Sequence, residues 1–269
     1  MPHTTVYVGD VLSTLPAMDD SSVHLVFTSP PYWNLKRYSD SPAEIGWGQL
    51  YAEYVHAMGQ VLRECFRVLH PGCRMAINIG DQYLRASEHG RYRVLSIPYD
   101  IIRMCTDNGM DYMGSVIWKK ISTTKTSGGG AWMGSTYWPR DGHITYEHEY
   151  VLFFKKLGHG PKVSAEAKAN SKLAKEQRSR WFRGIWDDIH PARQGDHPAA
   201  FPIELPDRII RMYSFWGETV LDPFMGTGTT AVAANLAGRN AVGCELSEDF
   251  VSIIEHRLEE INGGHLIIR

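Results

Sequence analysis

The stretch TVLDPFMGTGTTAVAANLAGRNAVGCEL, residues 219–246, constrains the fold more than any other part of the chain. An apolar run closes on Asp222, a glycine-rich turn follows, an alanine-rich helix opens near Thr229, and a second apolar run closes on Glu245. A strand, a helix and a second strand joined this way bring the chain back to the end of the sheet where it began, so the two strands are parallel. A parallel sheet must be covered on both faces, which commits much of the remaining chain to helices. The small residues Gly226 and Gly228 let a ligand approach the backbone, and the N-terminus of the following helix offers unpaired N–H groups.

The rest of the sequence fits that commitment. β-Branched and aromatic runs predict strands at 5–8, 24–28, 75–79, 114–119, 150–155, 219–222 and 241–245. Helical periodicity predicts helices at 51–69, 98–108, 202–215, 229–237 and 248–261, with Gly72, Gly109 and Gly238 placed as their C-terminal caps. The expected class is α/β, a doubly wound, mostly parallel, Rossmann-like sheet. With 43% apolar residues the chain can bury a core. No apolar run approaches about 18 residues or follows a basic leader, which argues against membrane spanning and secretion. Four cysteines without a CxxC pair point to a reducing cytoplasm. Two stretches break the rhythm. Residues 121–147 are rich in Gly, Ser, Thr and aromatics, and residues 156–197 are basic with little apolar periodicity. Both read as decorations on the sheet that face a substrate.

Taken alone, Gly226, Gly228 and Ala231 match the G-x-G-x-x-G/A pattern of dinucleotide sites. Asp222-Pro223-Phe224 argues otherwise, because a carboxylate beside the turn repels a pyrophosphate. No Lys follows the glycines, so a Walker-type phosphate loop fits poorly as well. A carboxylate here suits a cofactor that carries positive charge or an amino group. S-Adenosylmethionine has a sulfonium, an α-amino group, and a ribose whose hydroxyls Glu245 is placed to bind.

A second motif, TSPPYW, occupies residues 28–33. Its two prolines fix the backbone and remove two N–H donors, leaving the Ser29 hydroxyl, bare carbonyls and the Tyr32 ring. Together, TSPPYW and DPFMGTGTT resemble the amino-methylating DNA methyltransferases, which act on N4 of cytosine or N6 of adenine. The catalytic motif comes first and the cofactor motif near the C-terminus. That order resembles the family's β group, a circular permutation of a seven-stranded methyltransferase sheet. VYVGDVLSTL, EIGWGQLYAEYVHAMGQVLRECFRVLHPGCRMAINIGD and HPAAFPIELPDRIIRMYS extend the resemblance over most of the chain. Residues 121–147 and 156–196 lack a match, as target-recognition sequence does.

The resemblance implies a catalytic part at 1–120, a target-recognition insert at 121–196 that holds one core strand near 149–156, and a cofactor-binding part at 197–269. It implies that Ser29, Pro30, Pro31 and Tyr32 form the catalytic turn. Ser29 Oγ and the Pro30 carbonyl would accept both hydrogens of the target amino group and localise a lone pair otherwise conjugated into the ring. Tyr32 would stack on a base swung out of the duplex. The implied cofactor contacts are Asp10 toward the adenine, Phe201 beside the methionine moiety, and Asp222, Pro223, Phe224, Gly226, Gly228, Thr229, Thr230 and Glu245.

Double-stranded DNA is the implied partner, with a cognate restriction endonuclease, no membrane, and a monomer or homodimer in the cytoplasm. The net charge of −2 conceals segregation, with ten Lys/Arg against four Asp/Glu over 155–193 and five against ten over 202–269. DNA contacts are therefore expected from Trp33, Lys119, Lys120 and Lys125, and from Arg178, Arg180 and Arg183 around Trp181. His143, Glu147, His148 and Glu149 invite a metal reading, but direct methyl transfer needs no metal and none is expected. Ser rather than Asp at position 29 points, in family terms, to N4 of cytosine. One alternative is N6 of adenine. Another, from a different class, is a nicotinamide-dependent oxidoreductase built on the glycine turn, which leaves TSPPYW unexplained.

Overall fold

The computed structural model describes residues 2–120, 140, 144, 147–190, 201–261 and 265–269. Among these, β1 (His3–Val8), α1 (Val11–Thr14), β2 (Val23–Thr28), α2 (Tyr51–Val68) and β3 (Leu69–Ile79) come first. The pair β4 (Gln82–Leu84) and β5 (Arg93–Leu95) flanks α3 (Ala86–His89), and α4 (Ile97–Asp107) and β6 (Met110–Lys119) follow. Next are β7 (His148–Lys156), α5 (Ala165–Asn170), α6 (Lys175–Trp181) and β8 (Ile185–Trp186). Last come α7 (Glu204–Tyr213), β9 (Thr219–Asp222), α8 (Thr229–Leu236), β10 (Asn240–Glu245), α9 (Glu248–Glu260) and β11 (His265–Ile268). No described helix is long and apolar enough to cross a membrane.

The main sheet has the order β11-β1-β10-β9-β2-β3-β7-β6-β8. All its pairings are parallel except those of β7, which runs antiparallel to β3 and β6. Among the described residues it therefore has nine strands rather than the seven expected. The two extra strands, β8 and β11, are edge strands with two and four paired positions, too short to print an alternation on the sequence.

Side chains alternate between the two faces, as the pleat requires. Val26 of β2 packs with α1, α2 and α4, while its neighbours Leu25 and Phe27 pack with α7, α8 and α9. Helix α2 buries Tyr54, Ala57, Met58, Val61, Leu62, Cys65 and Val68 along one stripe. Each large side chain so buried contributes about 1.5–3 kcal/mol. Gly109 and Gly238 cap α4 and α8 with φ of +86° and +77°. Gly72 does not cap a helix. It lies within β3 at φ +77°, where any Cβ would strike the backbone of 159–160.

The functional consequence of the topology lies between β2 and β9. From β2 the chain passes through α2 to β3 on one side, and from β9 through α8 to β10 on the other. Where crossovers diverge in this way, a crevice opens at the carboxyl ends of the two strands. Thr28 ends β2 and Asp222 ends β9, and their side chains are 2.7 Å apart although 194 residues separate them. TSPPYW and DPFMGTGTT thus meet at one point.

The basic segment takes a different course. Gly158–Gly160 abut Pro71 and Gly72 near the amino end of β3. Ser171 Oγ then accepts from Trp216 N at 2.7 Å, just before β9 begins. Next the chain climbs the α7 face, where Phe182 meets Tyr213 with ring centroids 6.0 Å apart.

Candidate active site

A cavity of about 680 Å³ occupies the crevice. The ends of β1, β9 and β10 build one half of it, through Gly9, Asp10, Phe224, Gly226 and Glu245, with Phe250 from α9. The other half is built by Ser29, Pro30 and Tyr32 after β2, and by Asn78, Glu149 and Lys120 at the ends of β3, β7 and β6.

In the first half, local hydrogen bonds fix the carboxylates. Asp10 caps α1 by accepting from Leu12 N at 3.0 Å. Glu245 accepts from Gly226 N at 2.7 Å and from Ser247 N at 2.8 Å, so its carboxylate is locked to the glycine turn. Burial pushes the Glu245 carboxyl above its ordinary value, and the backbone donors from Ser247, Gly226 and Leu246 oppose that rise. Pro223, Thr229 and Phe201 also line this half, and Phe201 sits edge-on to Phe27 at 5.6 Å. Asp222, Gly228 and Thr230 stand behind the wall rather than in it. Asp222 is only 2% exposed and accepts from Thr28 Oγ1 at 2.7 Å, Thr230 Oγ1 at 2.6 Å and Phe224 N at 3.1 Å. It clamps the two motifs to each other. Gly228 opens α8 at φ +78°, with Ile254 Cγ1 2.8 Å from where a Cβ would stand.

In the second half, the prolines hold the turn and Tyr54 Oη donates to the Pro31 carbonyl at 2.8 Å. Asn78 Nδ2 donates to Glu149 Oε2 at 2.8 Å and lies 3.3 Å from both Ser29 Oγ and Tyr32 Oη. Lys120 Nζ pairs with Glu149 Oε1 at 2.6 Å. Asn78 and Tyr54 have no counterpart among the residues expected from sequence, where Glu149 figures only in the metal reading that is set aside. The one signal for Asn78 is a polar residue near the end of the apolar run MAINI.

Of the residues expected at the DNA face, the cavity brings in Lys120 alone, together with Lys36, which the sequence did not single out. Trp33 is 8% exposed and turned into the core, where its Nε1 donates to the Gln49 carbonyl at 2.8 Å. Lys119 is exposed at the end of β6, beside the cavity. Arg178, Arg180 and Arg183 do not line the cavity. Arg180 is paired with Asp188, which also holds the buried Arg208 of α7 at 3.0 Å. Lys125 and His143 fall outside the described residues. No group of three or more His, Cys, Asp or Glu that could hold a metal ion occurs among the described residues.

Comparison with known proteins identifies the family. The N6/N4 DNA methylase family matches residues 23–256. The type II methyltransferase M.MjaI of Methanocaldococcus jannaschii is 35% identical, over 90% of this chain and 86% of its own length. M.MthZI of Methanothermobacter thermautotrophicus is 34% identical, over 90% and 73%. Among solved structures, TTHA0409 of Thermus thermophilus, assigned as a DNA modification methylase and crystallised with S-adenosyl-L-methionine, superposes with a TM-score of 0.80. It is 36% identical, and the match covers 99% of both chains.

Proposed function

Because this chain belongs to the N6/N4 DNA methylase family and takes its methyl group from S-adenosylmethionine, we propose that it modifies the exocyclic N4 of a cytosine swung out of duplex DNA. The observation that carries this reading is the junction at Thr28–Asp222. It fixes an acceptor-bearing turn, with Ser29 Oγ and the Pro30 carbonyl, against an acidic and aromatic pocket in a single cavity.

The pocket suits the cofactor. Asp10 and Glu245 offer carboxylates to ribose hydroxyls and to amino nitrogen, and Phe224 and Phe250 offer faces to a purine. Lys120, one of the cations on the described wall, is tied to Glu149 in the other half. A pyrophosphate would therefore face carboxylates. When bound, S-adenosylmethionine supplies an electrophilic methyl group. The protein's own task is to present the amine. An exocyclic amino group is a weak nucleophile while its lone pair is shared with the ring, and two acceptors on its hydrogens favour the localised, pyramidal form. Ser29 is a neutral acceptor at the position where adenine-modifying members more often carry Asp, and this supports cytosine. Tyr32 gives the extruded base a stacking surface.

The motif order supports a circularly permuted sheet, with 1–120, 121–196 and 197–269 as its catalytic, target-recognition and cofactor-binding parts. The type II names of the relatives support a cognate restriction endonuclease as partner. Four free thiols support a cytoplasmic setting.

Incubation of unmethylated genomic DNA with radiolabelled S-adenosylmethionine, followed by nucleoside analysis, tests the reading. N4-Methylcytosine is the expected product. Label confined to N6-methyladenine would overturn the choice of base, and DNA without label would overturn the function.

A further inference from the structure

Asn78 is a polar side chain where the strand around it is apolar. It stands between Ile77 and Ile79 at the carboxyl end of β3, opposite Val151 of β7, and is 1% exposed. Its amide nitrogen meets three oxygens of the cavity wall: Glu149 Oε2 at 2.8 Å, and Ser29 Oγ and Tyr32 Oη at 3.3 Å each. Its amide oxygen is buried and meets no donor among the described residues. A buried acceptor left unpaired is a standing cost to the fold. Glu149 accounts for it, because turning the amide over would set that oxygen against a carboxylate. Lys120 Nζ holds Glu149 from its other oxygen at 2.6 Å. Gly80 leaves room for the arrangement, since Tyr32 Cε2 and Glu149 Cγ lie 3.2 and 3.4 Å from where its Cβ would stand.

The amide nitrogen carries two hydrogens. The shorter contact takes one to Glu149, and the other is shared between the Ser29 and Tyr32 hydroxyl oxygens. A serine side chain otherwise chooses among three staggered rotamers, and a step from one to the next moves Oγ by roughly 2 Å. Misplacing a group by about 1 Å at a reacting centre can cost on the order of 100-fold in rate. We propose, resting on the assignment of Ser29 as an acceptor of the amino hydrogens, that Asn78 is a positioning residue for methyl transfer. Its N–H selects the Ser29 rotamer that presents Oγ to the cavity and fixes the Tyr32 hydroxyl with it. Acceptor and stacking ring are then set in one geometry before the base arrives. A hydroxyl oxygen has two lone pairs, so Ser29 takes the Asn78 hydrogen on one and keeps the other for the amine. Asn78 acts through these two side chains and makes no bond to the amine itself.

Asn78→Leu keeps the side chain's shape and removes both donors. Single-turnover transfer from radiolabelled S-adenosylmethionine to sonicated, unmethylated genomic DNA should fall at least about tenfold. Calorimetric affinity for S-adenosylhomocysteine should stay within about twofold, because the oxygens that Asn78 holds belong to the catalytic half of the cavity. Crystal structures with S-adenosylhomocysteine give the readout that a merely structural role would not move. Ser29 should occupy one rotamer in the wild type, and a different one or several in N78L. A wild-type rate in N78L overturns the proposal, and so does a slow N78L whose Ser29 keeps its rotamer. If N78L does not fold, Asn78→Ser also lacks the amide, and the same rate and the same rotamer decide. Wild-type labelling by Ser29→Ala would overturn the underlying assignment. A slow Ser29→Ala beside an N78L of wild-type rate overturns the bracing role alone.

Discussion

Asp222 joins the two motifs through three hydrogen bonds while almost fully removed from water. Burial pushes its carboxyl up to about 7, against the pull of the Thr230, Thr28 and Phe224 donors. The folded state therefore holds this proton more tightly than the unfolded chain does. The resulting stability is complete below the unfolded value near ~4 and is lost as pH rises through about 7. Asp222→Asn retains one acceptor for Thr28 and Phe224 and turns an amide toward Thr230. Denaturant unfolding at stepped pH should show the wild type losing stability relative to D222N between about pH 4 and 7, by at most ~1.4 kcal/mol per unit. Asp222→Ala instead strands two hydroxyls and one N–H, costing about 2–5 kcal/mol and weakening calorimetric binding of S-adenosylmethionine. TSPPYW was legible in the sequence because consecutive prolines leave the chain little freedom there. Asn78 and Glu149 were not, since they acquire meaning only when β7 folds antiparallel onto β3, and nothing local to either residue announces that pairing.

Among the elements, β10 illustrates how a strand can shape a turn it does not contain. Gly243 is paired with Asp222 across the β9–β10 ladder, and a Cβ there would strike the Asp222 carbonyl and the Met225 side chain. The carbonyl belongs to the ladder and has nowhere to go, so the glycine turn must shift instead. Gly243→Ala should cost about 1–3 kcal/mol in unfolding free energy and lower cofactor affinity with it. A fall in stability with unchanged calorimetric affinity would show that the turn tolerates displacement. The same strand explains why the central elements were readable. Its core-facing alternation and the helices around it are dictated by burial on two faces, which leaves a period in the sequence. Helix α5 buries none of its residues, and β8 pairs at two positions, so neither had a period to display.

For the whole molecule, the question is which surface meets DNA. Composition pointed to the cations of 155–193, because ten of one sign in a short segment make a basic face. The fold carries part of that segment past the amino ends of β3 and β9, and then along α7. The cavity opens at the carboxyl ends of β2 and β9. On the proposed reading, a base swung out of a duplex enters there, which would set the phosphates nearest it against the rim near Lys36 and Lys119. Removing a cation that neutralises one phosphate should reduce the slope of log affinity against log salt by about one, whatever the DNA sequence. Fluorescence anisotropy with a labelled duplex over a range of salt should therefore give Lys36→Ala and Lys119→Ala shallower slopes than wild type. An Arg178→Ala, Arg183→Ala double variant should keep the wild-type slope. If the double variant instead loses about two units and the rim variants lose none, the duplex lies across α6 and α7, and the base must reach the cavity from the β8 edge of the sheet.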